Sequence, residues 1–312
     1  MIVPPPVPHR FREPLAPYTT WKIGGPADVL LEPPDVNAFR ETLRWALNEG
    51  LPVTVLGGGS NILVSDAGVE GAVILTTRLE RLVPLDSDQT GRPGMEVEAG
   101  ATMEAVCREA VRLGLAGLEV FHGLPGTVGG AVFMNARCWE RSISERIESV
   151  RSLDDRGEWI LRPASGCDFA YKQSIFQRTG EAVASVRLRL DPAPDREALE
   201  RETEGYRKRR EDAGQYAFPN AGCVFKNDRN AGRPSGRIID GCGLRGYRTG
   251  PVEVYARHAN FIVNRGGATA REVLDAIRLV EETVLARTGV RLEREIRLIG
   301  RWRPEDHVPP PP

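Results

Sequence analysis

The residues best placed to do chemistry are glycines. Gly57, Gly58 and Gly59 run into Ser60 and Asn61, and a second stretch at 117–131 holds Gly123, Gly126, Thr127, Gly129 and Gly130. Both stretches lie beside apolar, strand-like sequence. A loop without Cβ atoms lets backbone N–H groups close on a phosphate, so two such loops suit one long ligand carrying two charges. Neither stretch has G-x-G-x-x-G opening a helix after a strand, and no G-x-x-x-x-G-K-[ST] is present, which disfavours a Rossmann dinucleotide site and a P-loop. The plainer alternative is a pair of tight glycine turns.

Near the other end, residues 292–298 place Glu293, Glu295 and Arg297 at alternate positions. If this segment is a strand they share one face, and a charged face is either solvated or a polar site. The five cysteines are odd in number, widely spaced and without a C-x-x-C pair or a companion histidine cluster. That argues against a disulfide framework and against a zinc site, and for a reducing compartment. Taken alone, Cys223 reads as a small buried apolar residue. The run Arg207-Lys-Arg-Arg210 is a solvated helix face or a device that steers phosphates.

The elements that must position these residues alternate along the chain. Residues 27–31 read as a strand and Val36–Asn48 as a helix, with Asp35 as N-cap, Val36, Phe39, Leu43 and Leu47 on one face, and Gly50 after its end. Val53–Leu56 is a second strand that runs into the triple glycine, so a βαβ-like unit ends near Thr76. Residues 95–99 alternate like a strand, Thr102 caps a helix through Leu113 with Gly114 as its stop, and Ile147–Leu153 with 158–161 forms a hairpin. Residues 183–190 alternate apolar with basic side chains and predict a half-exposed strand. Asp191-Pro-Ala-Pro194 marks the clearest boundary; beyond it 196–210 is a highly charged helix, and 270–287 is an apolar-striped one opened by the capping box Thr269-x-x-Glu272. Both proline-rich ends are expected to be extended and poorly ordered.

Composition sets the bounds. The 312 residues suffice for two or three domains, 41% hydrophobic with 27% charged is ordinary for a globular protein, and 42 Lys+Arg nearly cancel 43 Asp+Glu. There is no global basic field of the kind that gathers nucleic acid or anionic membrane. No signal-peptide pattern and no apolar run of bilayer length is present, so a cytoplasmic protein with neither a nucleic-acid nor a membrane partner is expected.

Seven ordered motifs carry a resemblance over about residues 17–300. They are Tyr18-Thr-Thr-Trp-Lys-Ile-Gly-Gly-Pro-Ala-Asp28, Leu56-Gly-Gly-Gly-Ser-Asn-Ile-Leu-Val64, Gly123-Leu-Pro-Gly-Thr-Val-Gly-Gly-Ala131 with Met134-Asn135, Tyr171-Lys-Gln-Ser-Ile-Phe176, Asn220-Ala-Gly-Cys-Val-Phe-Lys-Asn227, His258-Ala-Asn-Phe-Ile-Val-Asn264 and Leu292-Glu-Arg-Glu-Ile-Arg297. The set resembles that of the MurB family, the UDP-N-acetylenolpyruvoylglucosamine reductases. The resemblance implies an α+β chain in which non-covalent FAD lies in a two-subdomain fold of the vanillyl-alcohol-oxidase type, at 17–76 and 77–194. A smaller α/β substrate domain at 195–303 would follow, with 1–16 and 304–312 disordered. Gly57, Gly58, Gly59, Gly123, Gly126, Thr127, Gly129 and Gly130 would then meet the FAD pyrophosphate, with Ser60 and Asn61 adding polar contacts.

The implied reaction has two halves. NADPH gives a hydride to the flavin, which passes it to the enolpyruvyl methylene of a sugar-nucleotide substrate, and the resulting carbanion-like enolate is protonated at the next carbon, giving UDP-N-acetylmuramate for peptidoglycan. The cofactor handles the hydride, no metal is implied, and the protein supplies orientation, charge stabilisation and a proton. The proton donor is usually serine in Ala-Gly-Ser-x-Phe-Lys-Asn, and Cys223 stands there; a thiol, with a pKa of about 8.5, releases a proton more readily than an alcohol but is a weaker hydrogen-bond donor. Lys172 replaces the arginine of Tyr-Arg-x-Ser-x-Phe, keeping the charge but losing the planar fork, with Arg178 near enough in sequence to share the task. Glu295 matches the family's catalytic glutamate, and Tyr171, Ser174, Lys226, Asn227, His258 and Asn260 fall at substrate-cleft positions. Asp228 stands where the motif has proline, and Arg137-Cys-Trp-Glu140 replaces small residues and tyrosine. Only Thr179 and Gly180 separate the Tyr171 segment from the next strand, which points to the family type with the shorter loop. The departures leave one alternative within enzymes, a related FAD oxidoreductase with a different substrate.

Overall fold

The computed structural model describes residues 4–227 and 231–307. The chain forms two units from interleaved segments. The first comprises residues up to 11, 29–58 and 71–210; the second comprises 12–28, 59–70 and 211 onward.

In the first unit a sheet runs in the order His9–Pro14, Pro26–Leu31, Val69–Leu75, Val53–Leu56. Helix α1 (Val36–Asn48) starts where the Asp35 carboxylate accepts the N–H groups of Asn37 and Ala38, each at 2.9 Å. Its stripe of Phe39, Leu43 and Ala46 is buried against Val29, Leu31 and Ile74. Burying Phe39 alone stabilises by about 2 kcal/mol. The strand His9–Pro14 corrects the expectation of disorder through residue 16. Proline is tolerated on an edge strand, and Arg10 pairs with Glu32 of the neighbouring segment at 2.8 Å.

The second sheet of this unit is antiparallel, in the order Trp159–Pro163, Ile147–Leu153, Ala182–Arg189, Gly94–Glu98, Leu82–Leu85. Ala182–Arg189 is flanked on both sides and nearly all buried, not half-exposed as its alternation predicts. Its basic residues meet cross-strand carboxylates, Arg187 with Glu96 at 3.0 Å and Arg189 with Glu148 at 3.1 Å. Helix α2 (Met103–Arg112), capped by Thr102, and helix α3 (Val128–Phe133) pack on this sheet through Val106, Val128 and Val132. The short helix α4 (Phe176–Thr179) ends at the left-handed Gly180. Asp191–Pro192 does not end the unit: it pairs with Leu115–Ala116, and helix α5 (Arg196–Asp212) remains with the first unit through residue 210. Arg210 is buried and donates to the carbonyls of His122 and Val120 at 3.1 and 2.9 Å, so it neither faces solvent nor steers phosphates.

The second unit holds an antiparallel sheet in the order Asn220–Cys223, Phe261–Asn264, Val252–Val254, Arg248–Thr249, with helices α6 (Ser235–Gly241) and α7 (Ala270–Thr288). The capping box of Thr269 and Glu272 opens α7, and the Asp66 carboxylate accepts two further N–H groups of its first turn. Trp21, fully buried, donates to the Ile262 carbonyl at 2.9 Å, and Ile62–Val64 pairs in parallel with Arg297–Ile299. Segments 12–28 and 59–70, expected in a first FAD subdomain, thus help build the late unit. Residues 292–298 do not form one strand: Arg294 makes an isolated bridge to Phe225, and pairing resumes at Arg297. Asp306 has no exposed surface and is ion-paired to Arg271 and Arg278, so 304–307 is folded rather than disordered, while 308–312 lies outside the described residues. Among the described residues no helix is long and apolar enough to cross a membrane, and no group of three His, Cys, Asp or Glu is placed to hold a metal.

Candidate active site

The two glycine loops meet within the first unit. A Cβ on Gly57 would lie 2.4 Å from Thr127 Oγ1, and one on Gly58 would lie 2.8 Å from Gly126 Cα, so only glycine permits the approach. The second loop is fixed by Met103 donating to Gly126 O at 3.1 Å and Val128 donating to Ala101 O at 2.9 Å. Among the described residues, the N–H groups of Gly57 and Gly58 donate to no protein acceptor, and the buried Thr127 hydroxyl has no partner. Gly130 is exposed inside α3, and the nearest atom to a Cβ there is Thr127 Oγ1 at 3.8 Å. Unused donors around an open, Cβ-free surface fit a diphosphate. Two expectations change. Gly129 gives its N–H to Ala99 O at 2.8 Å, and a Cβ on it would meet Ala99 Cβ at 2.8 Å, so this glycine serves helix-on-strand packing. Gly59 belongs to the second unit, where a Cβ would strike Tyr18 O at 2.1 Å.

Tyr171 and Lys172 form the tip of a two-residue turn closed by reciprocal hydrogen bonds between Ala170 and Gln173, both 3.2 Å. Lys172 has φ +57°, a left-handed conformation that costs a side-chain-bearing residue about 1 kcal/mol or more. Three polar side chains hold it there. Asn135 donates to Ala170 O at 2.8 Å, Gln177 donates to Lys172 O at 3.2 Å and Phe133 O at 2.8 Å, and Ser174 donates to Phe133 O at 2.6 Å. Ser174 is 1% exposed, so it braces the turn instead of lining a cleft. Arg178 is paired with Asp168. Nothing in the local spacing marks Gln177, whereas Asn135 is the asparagine of the motif Met134-Asn135.

In the second unit Cys223 ends the strand Asn220–Cys223 after a β-bulge: Asn220 pairs with Val263 and Cys223 with Phe261, leaving one extra residue on the Cys223 side. Gly222, at φ +73°, supplies the left-handed residue, and Asn220 Oδ1 accepts its N–H at 2.8 Å. Cys223 is half-buried against a cluster of Tyr255, Phe261, Val263 and Phe218. Of the five free thiols, Cys107, Cys167 and Cys242 are buried; burial pushes Cys167 up to about 11 and Cys107 higher still. After Cys223 the chain is clasped from two sides. Asn260 uses its whole amide on Phe225, accepting from its N at 2.9 Å and donating to its O at 2.8 Å. Opposite, Glu295 N donates to Val224 O at 2.7 Å and Lys226 N to Glu293 O at 2.9 Å. Cys223 and Glu295, the two candidate proton-handling residues, therefore leave neighbouring positions of paired segments.

The remaining cleft candidates sort by their partners. Asn260 is 2% exposed with both ends engaged, so it is a brace and not a substrate contact. Lys226 Nζ is paired with Glu293 at 2.5 Å, so a substrate phosphate there would have to compete with that carboxylate. Asn227 accepts the Ser235 N–H at 2.9 Å, and Asp228 lies outside the described residues. His258 packs on Phe261 with ring centroids 4.5 Å apart, and burial lowers its pKa, which favours the neutral ring. Arg137–Cys138 and Arg141–Ser142 pair as a small hairpin whose tip residues Trp139 and Glu140 have φ +41° and +67°; the Trp139 ring lies on Tyr206, with centroids 4.9 Å apart.

Comparison with known proteins bears on the whole arrangement. Residues 27–161 match a family described as FAD binding domain, and residues 214–299 match the UDP-N-acetylenolpyruvoylglucosamine reductase, C-terminal domain. The UDP-N-acetylenolpyruvoylglucosamine reductase of Heliobacterium modesticaldum is 40% identical over 289 residues, covering 93% of this chain and 90% of the relative. That of Synechococcus sp. (strain JA-3-3Ab) is 38% identical with the same coverage of both chains. The crystal structure of UDP-N-acetylenolpyruvylglucosamine reductase (MurB) from Thermus caldophilus superposes with a TM-score of 0.75 at 34% identity, over 94% of this chain and 98% of that one. By sequence along nearly its full length and by fold, the chain belongs to the UDP-N-acetylenolpyruvoylglucosamine reductase family.

Proposed function

We propose that this chain is an FAD-dependent reductase that uses NADPH to reduce the enolpyruvyl group of UDP-N-acetylglucosamine enolpyruvate, yielding UDP-N-acetylmuramate for peptidoglycan synthesis. The observation that carries the reading is Cys223, set by a glycine bulge beside the main chain of Glu295, in a chain whose earlier part matches an FAD-binding family. The chemistry a bound FAD supplies is hydride relay between NADPH and the methylene carbon of the substrate. Gly57, Gly58, Gly126, Thr127 and Gly130 would hold its diphosphate through N–H and hydroxyl donors that the fold leaves unused. Lys172, fixed at the tip of its turn, offers a positive charge to the substrate carboxylate and to the enolate that forms as the hydride arrives. The Cys223 thiol gives its proton to the carbon that bears the carboxylate, and Glu295 acts with it in moving that proton. Tyr171, Asn227 and His258 line the substrate path.

An anaerobic two-step assay tests this reading. The purified protein with FAD is bleached by NADPH, and its yellow colour returns on adding the enolpyruvyl sugar nucleotide and not on adding UDP-N-acetylglucosamine. Protein that takes up no FAD, or reduced protein that the enolpyruvyl substrate fails to reoxidise, would sink the proposal.

A further inference from the structure

We infer that the side chain of Asn61, the asparagine that ends the triple-glycine stretch, positions Glu295 and does not bind the diphosphate. The inference rests on the proton-handling role proposed for Glu295. The backbone around Glu295 is irregular. Its neighbours Arg294 and Arg297 each make sheet-like contacts, Arg294 by a bridge to Phe225 and Arg297 in the strand paired with Ile62–Val64, but no continuous ladder joins the two. A carbonyl in such a gap needs a partner, because an unpaired backbone group away from water costs about as much as a lost hydrogen bond. The Glu295 carbonyl finds that partner in a side chain, Asn61 Nδ2, at 3.1 Å. Two residues further on, Arg297 N donates to Asn61 O at 3.0 Å. Asn61 thus brackets Ile296, the residue after Glu295, with a side-chain bond to the Glu295 carbonyl before it and a main-chain bond to Arg297 after it.

Both sides of that bracket are rigid. Ahead of Asn61, Gly59 accepts the Thr20 N–H at 3.1 Å and lies so close to Tyr18 O that no Cβ fits. Across from it, Arg294 is held by a bidentate pair with Glu281, at 2.6 and 2.7 Å, and Glu295 N is bonded to Val224 O. Asn61 is the one side chain in this set whose removal frees the Glu295 carbonyl without touching any charged group. A shift of Glu295 by a fraction of a bond length matters only when its carboxyl must meet a reacting proton, so the effect falls on one half-reaction.

The test uses Asn61→Ala, with Asn61→Ser as the milder variant should alanine fold poorly, each alone and combined with Glu295→Gln. Amide hydrogen exchange of peptides spanning 291–300 should quicken in the Asn61 variants while flavin affinity and the rate of flavin reduction by NADPH stay unchanged. Reoxidation by the enolpyruvyl substrate should slow about ten- to a hundredfold, the scale of a small misplacement of a reacting group. In the Glu295→Gln background the same change should have no further effect. Weakened FAD binding, a loss that multiplies with Glu295→Gln, or normal reoxidation beside a crippled Glu295→Gln enzyme each overturns the inference alone. A Glu295→Gln enzyme with wild-type reoxidation overturns the role of Glu295 and the inference with it.

Discussion

Cys223 is where a single residue carries the most consequence. Its bulge depends on Gly222 and Asn220, and its neighbours fix the backbone on both sides, so its sulfur is presented by the same scaffold that would present a serine hydroxyl. Cys223→Ser should therefore retain substrate reoxidation within about tenfold of wild type, while Cys223→Ala, which has no proton to give, should lose about a hundredfold or more. Stopped-flow reoxidation of the reduced enzyme measures both; an alanine variant with unchanged rate would remove Cys223 from the chemistry. The motifs mark Cys223, Lys172 and Glu295 as candidates by position and residue type. What the sequence could not show is which polar candidates are already spent. Asn260, at a cleft position by motif, is engaged by Phe225 and Ser174 by Phe133, while Lys226 is paired with Glu293. Those pairings join residues far apart in sequence, and neither periodicity nor local spacing records them.

The elements were the most legible level, because caps and stripes act within a few residues. Asp35, Thr102 and the Thr269–Glu272 box all start helices where local chemistry predicts them. The failures came where the environment overrode local pattern: Ala182–Arg189 alternates yet is sandwiched between strands, and 292–298 alternates yet is broken at Glu295. Helix α3 offers a test of what the glycine loop is for. Gly130 has room for a methyl group and lies within the helix, where alanine is favoured over glycine by about 1 kcal/mol. Gly130→Ala should raise the thermal midpoint of the flavin-free protein and yet weaken FAD binding about tenfold or more, as read by flavin fluorescence quenching. A variant that is stabilised and still binds FAD normally would mean that the open surface in front of α3 is not the diphosphate site.

At the scale of the whole molecule the chain passes back and forth between units, and the late unit is completed only by its last described residues. Asp306 closes it. Its carboxylate takes two bonds from Arg271, at 2.8 and 2.7 Å, and one from Arg278 at 2.6 Å, and its carbonyl takes the Arg294 guanidinium at 3.1 Å. The hydrogen bonds from Arg271, above all, hold this carboxyl far below the usual carboxylate range. A group whose pKa falls on folding contributes its stability in full above its unfolded value of about 3.9 and loses it as pH drops through the lowered folded value. Breaking a buried pair costs about 3–5 kcal/mol, and because the two arginine side chains are 36% and 28% exposed the cost here is smaller, about 2–3 kcal/mol. Asp306→Asn should therefore lower the urea midpoint at pH 7, and its deficit against wild type should stay constant down to about pH 4 and shrink below it. A deficit in stability that persists undiminished at pH 2 would show that the Asp306 charge is not what closes the unit.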